Sequence, residues 1–261
     1  MNRLATTILL VLLSWPAVAA EPVHDLRLCY EYQAEWSRIS PGGTEPRYLL
    51  LKVVETRLGL HLTYIGMPWK RCFNELLNGR VEGAAGASFL PERQVSGVYP
   101  TDRDGRPDPT KRLSTSTYHL YVLKGSDLGW DGQRFSNLRG PIATLAGYSI
   151  IEQLKSSGAT VYEMGGGADQ ALSLFQLALG GRAQAAAMVT PGGDAVLRNH
   201  PDLAARIVKY PVPLIEKPYY LVLSHQLVDA DPALAERIWS TIADVRESAE
   251  YRAAIQPVPV E

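Results

Sequence analysis

Two hydroxyls, Ser88 and Thr190, close two stretches of the chain that echo each other. Leu77-Asn78-Gly79-Arg80-Val81-Glu82-Gly83-Ala84-Ala85 lines up with Leu179-Gly180-Gly181-Arg182-Ala183-Gln184-Ala185-Ala186-Ala187. Each reads as an apolar-faced helix, a Gly-Arg turn, and a run of small residues suited to a buried parallel strand. In open parallel sheets, ligands sit beyond the carboxyl ends of the strands. A hydroxyl at each strand end therefore suggests two similar lobes facing one polar ligand. The remaining reactive residues form no catalytic pattern. His24, His61, His119, His200 and His225 are scattered without metal-ligand spacing. Ser149 has no local nucleophile-elbow pattern. Gly165-Gly166-Gly167 lacks the lysine and hydroxyl of a phosphate-binding loop and reads as a flexible helix entry. Cys29 and Cys72 have no histidine at zinc-ligand spacing, and read either as a disulfide or as two buried thiols. No cofactor is expected.

These residues need a scaffold. The chain has 261 residues, 46% hydrophobic and 20% charged, which suits one large or two medium globular domains. Its formal net charge of −1 offers no electrostatic case for nucleic acid or an anionic membrane. Met1-Asn2-Arg3, the apolar run Leu4 to Leu13, and Ala17-Val18-Ala19 before Ala20 form a cleavable signal-peptide pattern. The apolar run is too short to span a bilayer.

Along the mature chain, strands are expected at Leu26–Tyr30, His61–Ile65, Val81–Ala87, Tyr118–Leu123, Pro141–Leu145, Thr160–Tyr162, Ala183–Val189 and Tyr219–Leu223, with Val208–Pro213 extended. Helices are expected at Arg47–Leu58, Trp69–Leu77, Gly147 to about Ser156, and Asp169–Leu179. A long amphipathic helix from Pro232 to Glu250 closes the chain, with Leu234, Ile238, Ile242 and Val245 on one face. Gly125 to Gly140 reads as a loop, and Thr101 to Arg112 as a solvated excursion. The pattern is βαβαβ, a crossing, βαβαβ, a second crossing and a closing helix: α/β throughout.

Four stretches carry a resemblance: Cys29-Tyr30-Glu31; the PWKRC…GRVEG…AS…PER segment from Pro68 to Arg93; SNLRGPIATLAGYS from Ser136 to Ser149; and ALAERIWSTIADVRESAEY. In this order, behind a signal peptide, the chain resembles the periplasmic solute-binding proteins of polar amino-acid ABC transporters, family 3. The resemblance implies a two-lobed (type II) binding-protein fold with hinge crossings near Thr117-Tyr118 and Pro218-Tyr219. The signal peptide would be 1–20, the first lobe 21–117 with 219–261, and the second lobe 118–218. It also implies a periplasmic monomer that takes a small-molecule ligand and delivers it to an ABC transporter permease in the inner membrane.

In that family an arginine past the third strand clamps the ligand's carboxylate, and Arg93 falls there. A guanidinium matches a carboxylate with two parallel hydrogen bonds. Ser88, and Ser149 at a helix start, fall where the family offers hydroxyls and backbone N–H groups; Thr190, at the end of the second echoing strand, is a further ligand-binding candidate. Tyr32, Trp36, Trp69, Tyr99 and Tyr148 would face the cleft, with Trp69 and Tyr148 as stacking walls. The sequence departs from the family at Val189, where amino-acid binders carry an aspartate for the ligand's ammonium. Either Asp194 or Glu163 substitutes, or the ligand has no α-ammonium. Two alternatives share the fold: a receptor serving a membrane sensor, and a dehydratase-like enzyme using Glu163 or Glu31 as its cleft carboxylate.

Overall fold

The computed structural model describes residues 24–32, 42–43, 45–165 and 170–255. The signal-peptide stretch, Trp36, Gly166 and Gly167 lie outside these residues. In chain order the elements are β1 (Asp25–Tyr30), α1 (Pro46–Leu58), β2 (His61–Gly66), α2 (Trp69–Leu77), β3 (Gly83–Ser88), β4 (Ser114–Leu123), β5 (Gly129–Trp130), β6 (Phe135–Ser136), β7 (Ile142–Leu145), α3 (Ile150–Ser156), β8 (Val161–Met164), α4 (Gln170–Leu179), β9 (Ala185–Val189), α5 (Thr190–Asn199), α6 (Pro201–Ala204), β10 (Ile207–Lys209), β11 (Ile215–Leu223), α7 (His225–Ala230), α8 (Pro232–Arg246) and α9 (Ala249–Ala254). Among them, no helix is long and apolar enough to cross a membrane.

The sequence echo has a structural counterpart. The strand order is β2-β1-β3-β11-β4-β9-β7-β8. β1 lies parallel between β2 and β3, and β7 lies parallel between β8 and β9. Each trio is flanked by one antiparallel strand, β11 beside β3 and β4 beside β9. α2 ends at Leu77 and β3 starts at Gly83, and α4 ends at Leu179 and β9 starts at Ala185 with the same spacing.

Two lobes of βαβαβ would each be given a sheet of their own, and here the structure differs. The ladder runs unbroken from β2 to β8, because β4 and β11 each belong to both halves. β11 pairs with β4 over Ile215–Tyr219, then with β3 over Tyr219–Leu223. β4 pairs with β11 over Ser114–Tyr118, then with β9 over Tyr118–Val122. The switches fall at Tyr118 and Tyr219. Both strands are longer than their apolar runs suggested, since their amino-terminal halves are polar.

Burial explains the architecture. β1 puts Leu26, Leu28 and Tyr30 into one apolar cluster and Cys29 into the other. The first face packs on α1 and on Leu234, Ile238, Trp239, Ile242 and Val245 of α8. Each such large side chain contributes roughly 1.5–3 kcal/mol when fully buried. The other cluster continues from Cys29, Trp69 and Cys72 through Tyr118 and Tyr148 into the second half, so the halves are in contact. Cys29 and Cys72 form a disulfide, with Cα atoms 5.6 Å apart, tying β1 to α2.

Two further expectations are corrected. The closing helix stops at Arg246, and a separate α9 follows, because the Ser248 hydroxyl accepts the Tyr251 N–H and starts a new first turn. The segment from Gly125 to Gly140 is not wholly loop: β5 and β6 pair as a short hairpin in which Trp130 stacks on Phe135.

Candidate functional site

A small cavity of about 30 Å³ lies between the halves, at the carboxyl ends of β1, β3 and β9. That is room for about two waters. Its walls are Tyr30, Glu31, Arg47, Trp69, Ala85, Gly86, Tyr118, Tyr148, Val189 and Tyr219. β1 delivers Tyr30 and Glu31. The crossing strands deliver Tyr118 and Tyr219, whose hydroxyls lie 3.2 Å apart. Burial raises the Tyr118 phenol well above its ordinary pKa, with Tyr219 adding to the effect. Burial, then Glu31, does the same to Tyr148. Both phenols therefore stay neutral.

The two charged residues of the cavity sit at helix starts. The Glu31 carboxylate accepts the Trp69 N–H at 2.7 Å, filling an orphan donor of α2 where the dipole favours an anion. Arg47 stands in the first turn of α1, where the dipole disfavours a cation, yet it is only 6% exposed. Its Nε donates to Ser114 Oγ at 2.8 Å, and its guanidinium lies 4.7 Å from the Tyr219 ring centre.

Beyond Trp69 and Tyr148 the cleft widens into an outer cavity of about 370 Å³, bordered by Lys70, Phe73, Glu92, Arg93, Glu152, Lys155 and Glu163. Trp69 and Tyr148 line both spaces and form the partition between them.

Arg93, Ser88 and Ser149 converge, but on one another. Ser88 Oγ donates to Ser149 Oγ at 2.6 Å. Arg93 donates to the Ser88 carbonyl and to the Gly147 carbonyl, each at 2.7 Å, and stacks over Phe73. Tyr99 OH reaches the same Ser88 carbonyl, and Lys217 Nζ the Ser149 carbonyl. These contacts join β3 and its following turn to the start of α3.

Thr190 does not line either cavity; Val189 does. The Thr190 hydroxyl donates to the Thr117 carbonyl at 2.8 Å and lies 2.7 Å from His119 Nδ1. The one-residue step turns it away because β9 ends at Val189 and Thr190 opens α5. Asp194 pairs with Lys209 and accepts from Tyr121, away from the cavity, and Glu163 stands on the outer one. Tyr32 is exposed and Tyr99 is buried. Sequence reasoning missed Arg47. Its signals were an arginine just after Pro46 in a helix's first turn and a glycine, Gly86, inside the small-residue run of β3.

Neither a family model nor a curated protein matches the sequence. Solved structures do match. One is the putative binding component of an ABC transporter from Wolinella succinogenes complexed with lysine, at 15% identity over 88% of this chain and 93% of that one, with a TM-score of 0.65. A histidine kinase sensor domain with similarity to periplasmic binding proteins matches at 16% identity over 89% and 94%, TM-score 0.67. The fold is that of the two-lobed periplasmic binding proteins. The ancestral amino-acid-binding protein AncCDT-1, a precursor of cyclohexadienyl dehydratase, shares this binding-protein fold at 18% identity over 88% and 93%, TM-score 0.62. At these identities the likeness is one of fold.

Proposed function

We propose that this protein is an exported solute-binding protein. It captures a small polar, carboxylate-bearing solute, an amino acid or a relative of one, between two lobes in the periplasm. It then delivers the solute to an ABC transporter permease in the inner membrane. The observation that carries this reading is the aromatic cavity between the halves whose described residues include a guanidinium, Arg47, and a carboxylate, Glu31. Opposite charges in a tyrosine-walled, poorly hydrated space suit a zwitterion's head group. Glu31 would supply the carboxylate that Val189 does not. The outer cavity would take the rest of the solute, with Trp69 and Tyr148 as walls.

The lobes are taken as residues 21–117 with 219–261, and 118–218. The partner switches at Tyr118 and Tyr219 support those limits. Arg93, Ser88 and Ser149 hold the lobes shut around the solute.

The test is a thermal-shift screen of the mature protein against the standard L-amino acids and small carboxylates, followed by isothermal titration of any hit. A solute at about 100 times its Kd stabilises by about 2.7 kcal/mol. If no compound shifts the melting temperature, the reading fails. A second reading, a dehydratase-like enzyme, is favoured by the carboxylate among the described residues of the cavity, Glu31. Conversion of a cyclohexadienyl acid to an aromatic product on incubation with the protein, read as a gain of aromatic absorbance and absent in Glu31→Gln, would favour it over binding alone.

A further inference from the structure

The chain brings two arginines to the cleft, and their surroundings differ. Arg93, where the sequence resemblance looks for the anion clamp, borders the outer cavity and not the inner one. Two of its nitrogens are committed to backbone carbonyls, of Ser88 and Gly147, at 2.7 Å each. Its guanidinium is stacked 4.8 Å from the Phe73 ring centre. Arg93 thus joins one half to the other through the backbone.

Arg47 is seated in the inner cavity by a specific backbone device. β11 pairs Tyr220 with Ala87 and Leu221 with Ala85, so Gly86 is the extra residue of a β-bulge. Its φ is +91°, a region open to glycine and strained for other residues. A Cβ built on Gly86 would lie 2.2 Å from Arg47 Nη1 and 3.0 Å from its Cζ. Glycine and guanidinium therefore share one volume, and any side chain at position 86 would evict the cation. Nη1 also donates to the Gly86 carbonyl at 3.5 Å, and among the described residues further anchors come from the crossing strands: Ser114 Oγ of β4, 2.8 Å from Nε, and the Tyr219 ring of β11 beneath the guanidinium plane. Ser114 and Tyr219 are themselves a ladder pair. A backbone conformation that only glycine adopts freely makes room here for a buried cation beside a cavity.

We propose that Arg47, seated by the Gly86 bulge, is the residue that binds the solute's anionic group in the inner cavity, and that Arg93 is a latch between the lobes. This rests on the solute-binding reading above, and it moves the anion site from the position the resemblance indicates. The ligand class it specifies is a carboxylate small enough for its head group to enter past Trp69 and Tyr148.

The test uses the mature protein and, as probes, the standard L-amino acids and small carboxylates, each compared with its primary amide. For the best acid, isothermal titration gives an acid-to-amide affinity ratio in wild type, Arg47→Met, Arg47→Lys and Arg93→Met. The wild type should prefer the acid by about thirtyfold or more, the scale of a buried charge pair. Arg47→Met should bring the ratio close to one, and Arg47→Lys, which keeps the charge but not the fork, should restore part of it. Arg93→Met should weaken acid and amide alike and keep the ratio, since a latch acts on closure. Circular dichroism and the melting temperature of each free variant confirm that it folds, and Arg47→Lys carries the test if Arg47→Met does not. The proposal falls if the Arg47 variants keep the wild-type ratio, or if Arg93→Met loses it. A wild type that binds none of the probes would instead sink the solute-binding reading itself, and this assignment with it.

Discussion

The hydroxyl of Ser88, at the last residue of β3, donates to the hydroxyl of Ser149 across 2.6 Å, although 61 residues separate them and they stand on opposite sides of the cleft. Both are buried. Ser149 stands where it would cap α3, but makes no capping bond with its side chain. Its hydroxyl serves contact between the halves instead.

Removing either hydroxyl should therefore loosen closure. Ser88→Ala and Ser149→Ala are each expected to cost the closed form about 0.5–1.5 kcal/mol. The double variant should cost less than the sum, because the two act through one bond. Small-angle scattering of the free proteins reads this as a larger radius of gyration. Singles that scatter like the wild type would show that the contact does not hold the lobes.

Arg93→Met should loosen closure more than either serine variant. It removes two hydrogen bonds from a charged donor, each worth about 1.5–3 kcal/mol, and leaves the Gly147 carbonyl without this partner across the cleft. The same scattering comparison gives the order. A radius no larger than that of Ser149→Ala would contradict the latch.

The disulfide should matter for stability as well as for wall placement. Cys29 and Cys72 are 43 residues apart, and closing a loop of that length in the unfolded chain is worth about 4 kcal/mol. Reduction, or Cys29→Ala with Cys72→Ala, should lower the urea midpoint accordingly. The unreduced protein, unfolded in denaturant, should show no thiol to a thiol reagent. Equal midpoints with and without reductant would count against a stabilising bond.

His119 sets a pH dependence. Burial, and then the charge of Lys209, lower its pKa in the folded protein below the ordinary 6.5. The Thr190 hydroxyl spends its proton on the Thr117 carbonyl, so His119 Nδ1 is the donor in their contact. A group whose folded pKa is depressed binds its proton more readily when unfolded. Stability is therefore full above about 6.5 and declines as pH falls through that value toward the folded pKa. His119→Gln should flatten this part of the profile of urea midpoint against pH. An identical slope in wild type and variant would remove His119 as the cause.

The fold was legible where local pattern and burial agree. α2 and α4 show helical spacing and feed strands of small residues, so their echo survives as matching halves. α5 was not legible, because Pro191, Gly192 and Gly193 are poor helix formers. The proline sits harmlessly in the first turn, and Gly193 is needed because a Cβ there would meet the Tyr121 ring at 2.2 Å. The break after Arg246 was hidden because Ala249 continues the helical spacing of Leu234, Ile238, Ile242 and Val245. At the site, Trp69 and Tyr148 were legible as aromatic residues at element starts. Arg47 was not, since an arginine in a first turn usually points to water, and only the bulge on another strand takes it inward. Thr190 was misplaced for the opposite reason: its register matched Ser88, but the strand ended one residue earlier.

The ribbon joining the halves has one property that bears on how the jaws work. β4 and β11 share five residue pairs, and one of them sets Thr115 against Pro218, which has no N–H to give. Two-stranded ribbons carry more twist than wide sheets, so opening is expected as torsion about its long axis. Ser114 and Tyr219, the end pair of that ribbon, are also the seat of the Arg47 guanidinium. The torsion bar and the charge holder are thus one piece: the same rotation that parts the jaws re-aims the cation, so solute grip and jaw angle are geared together.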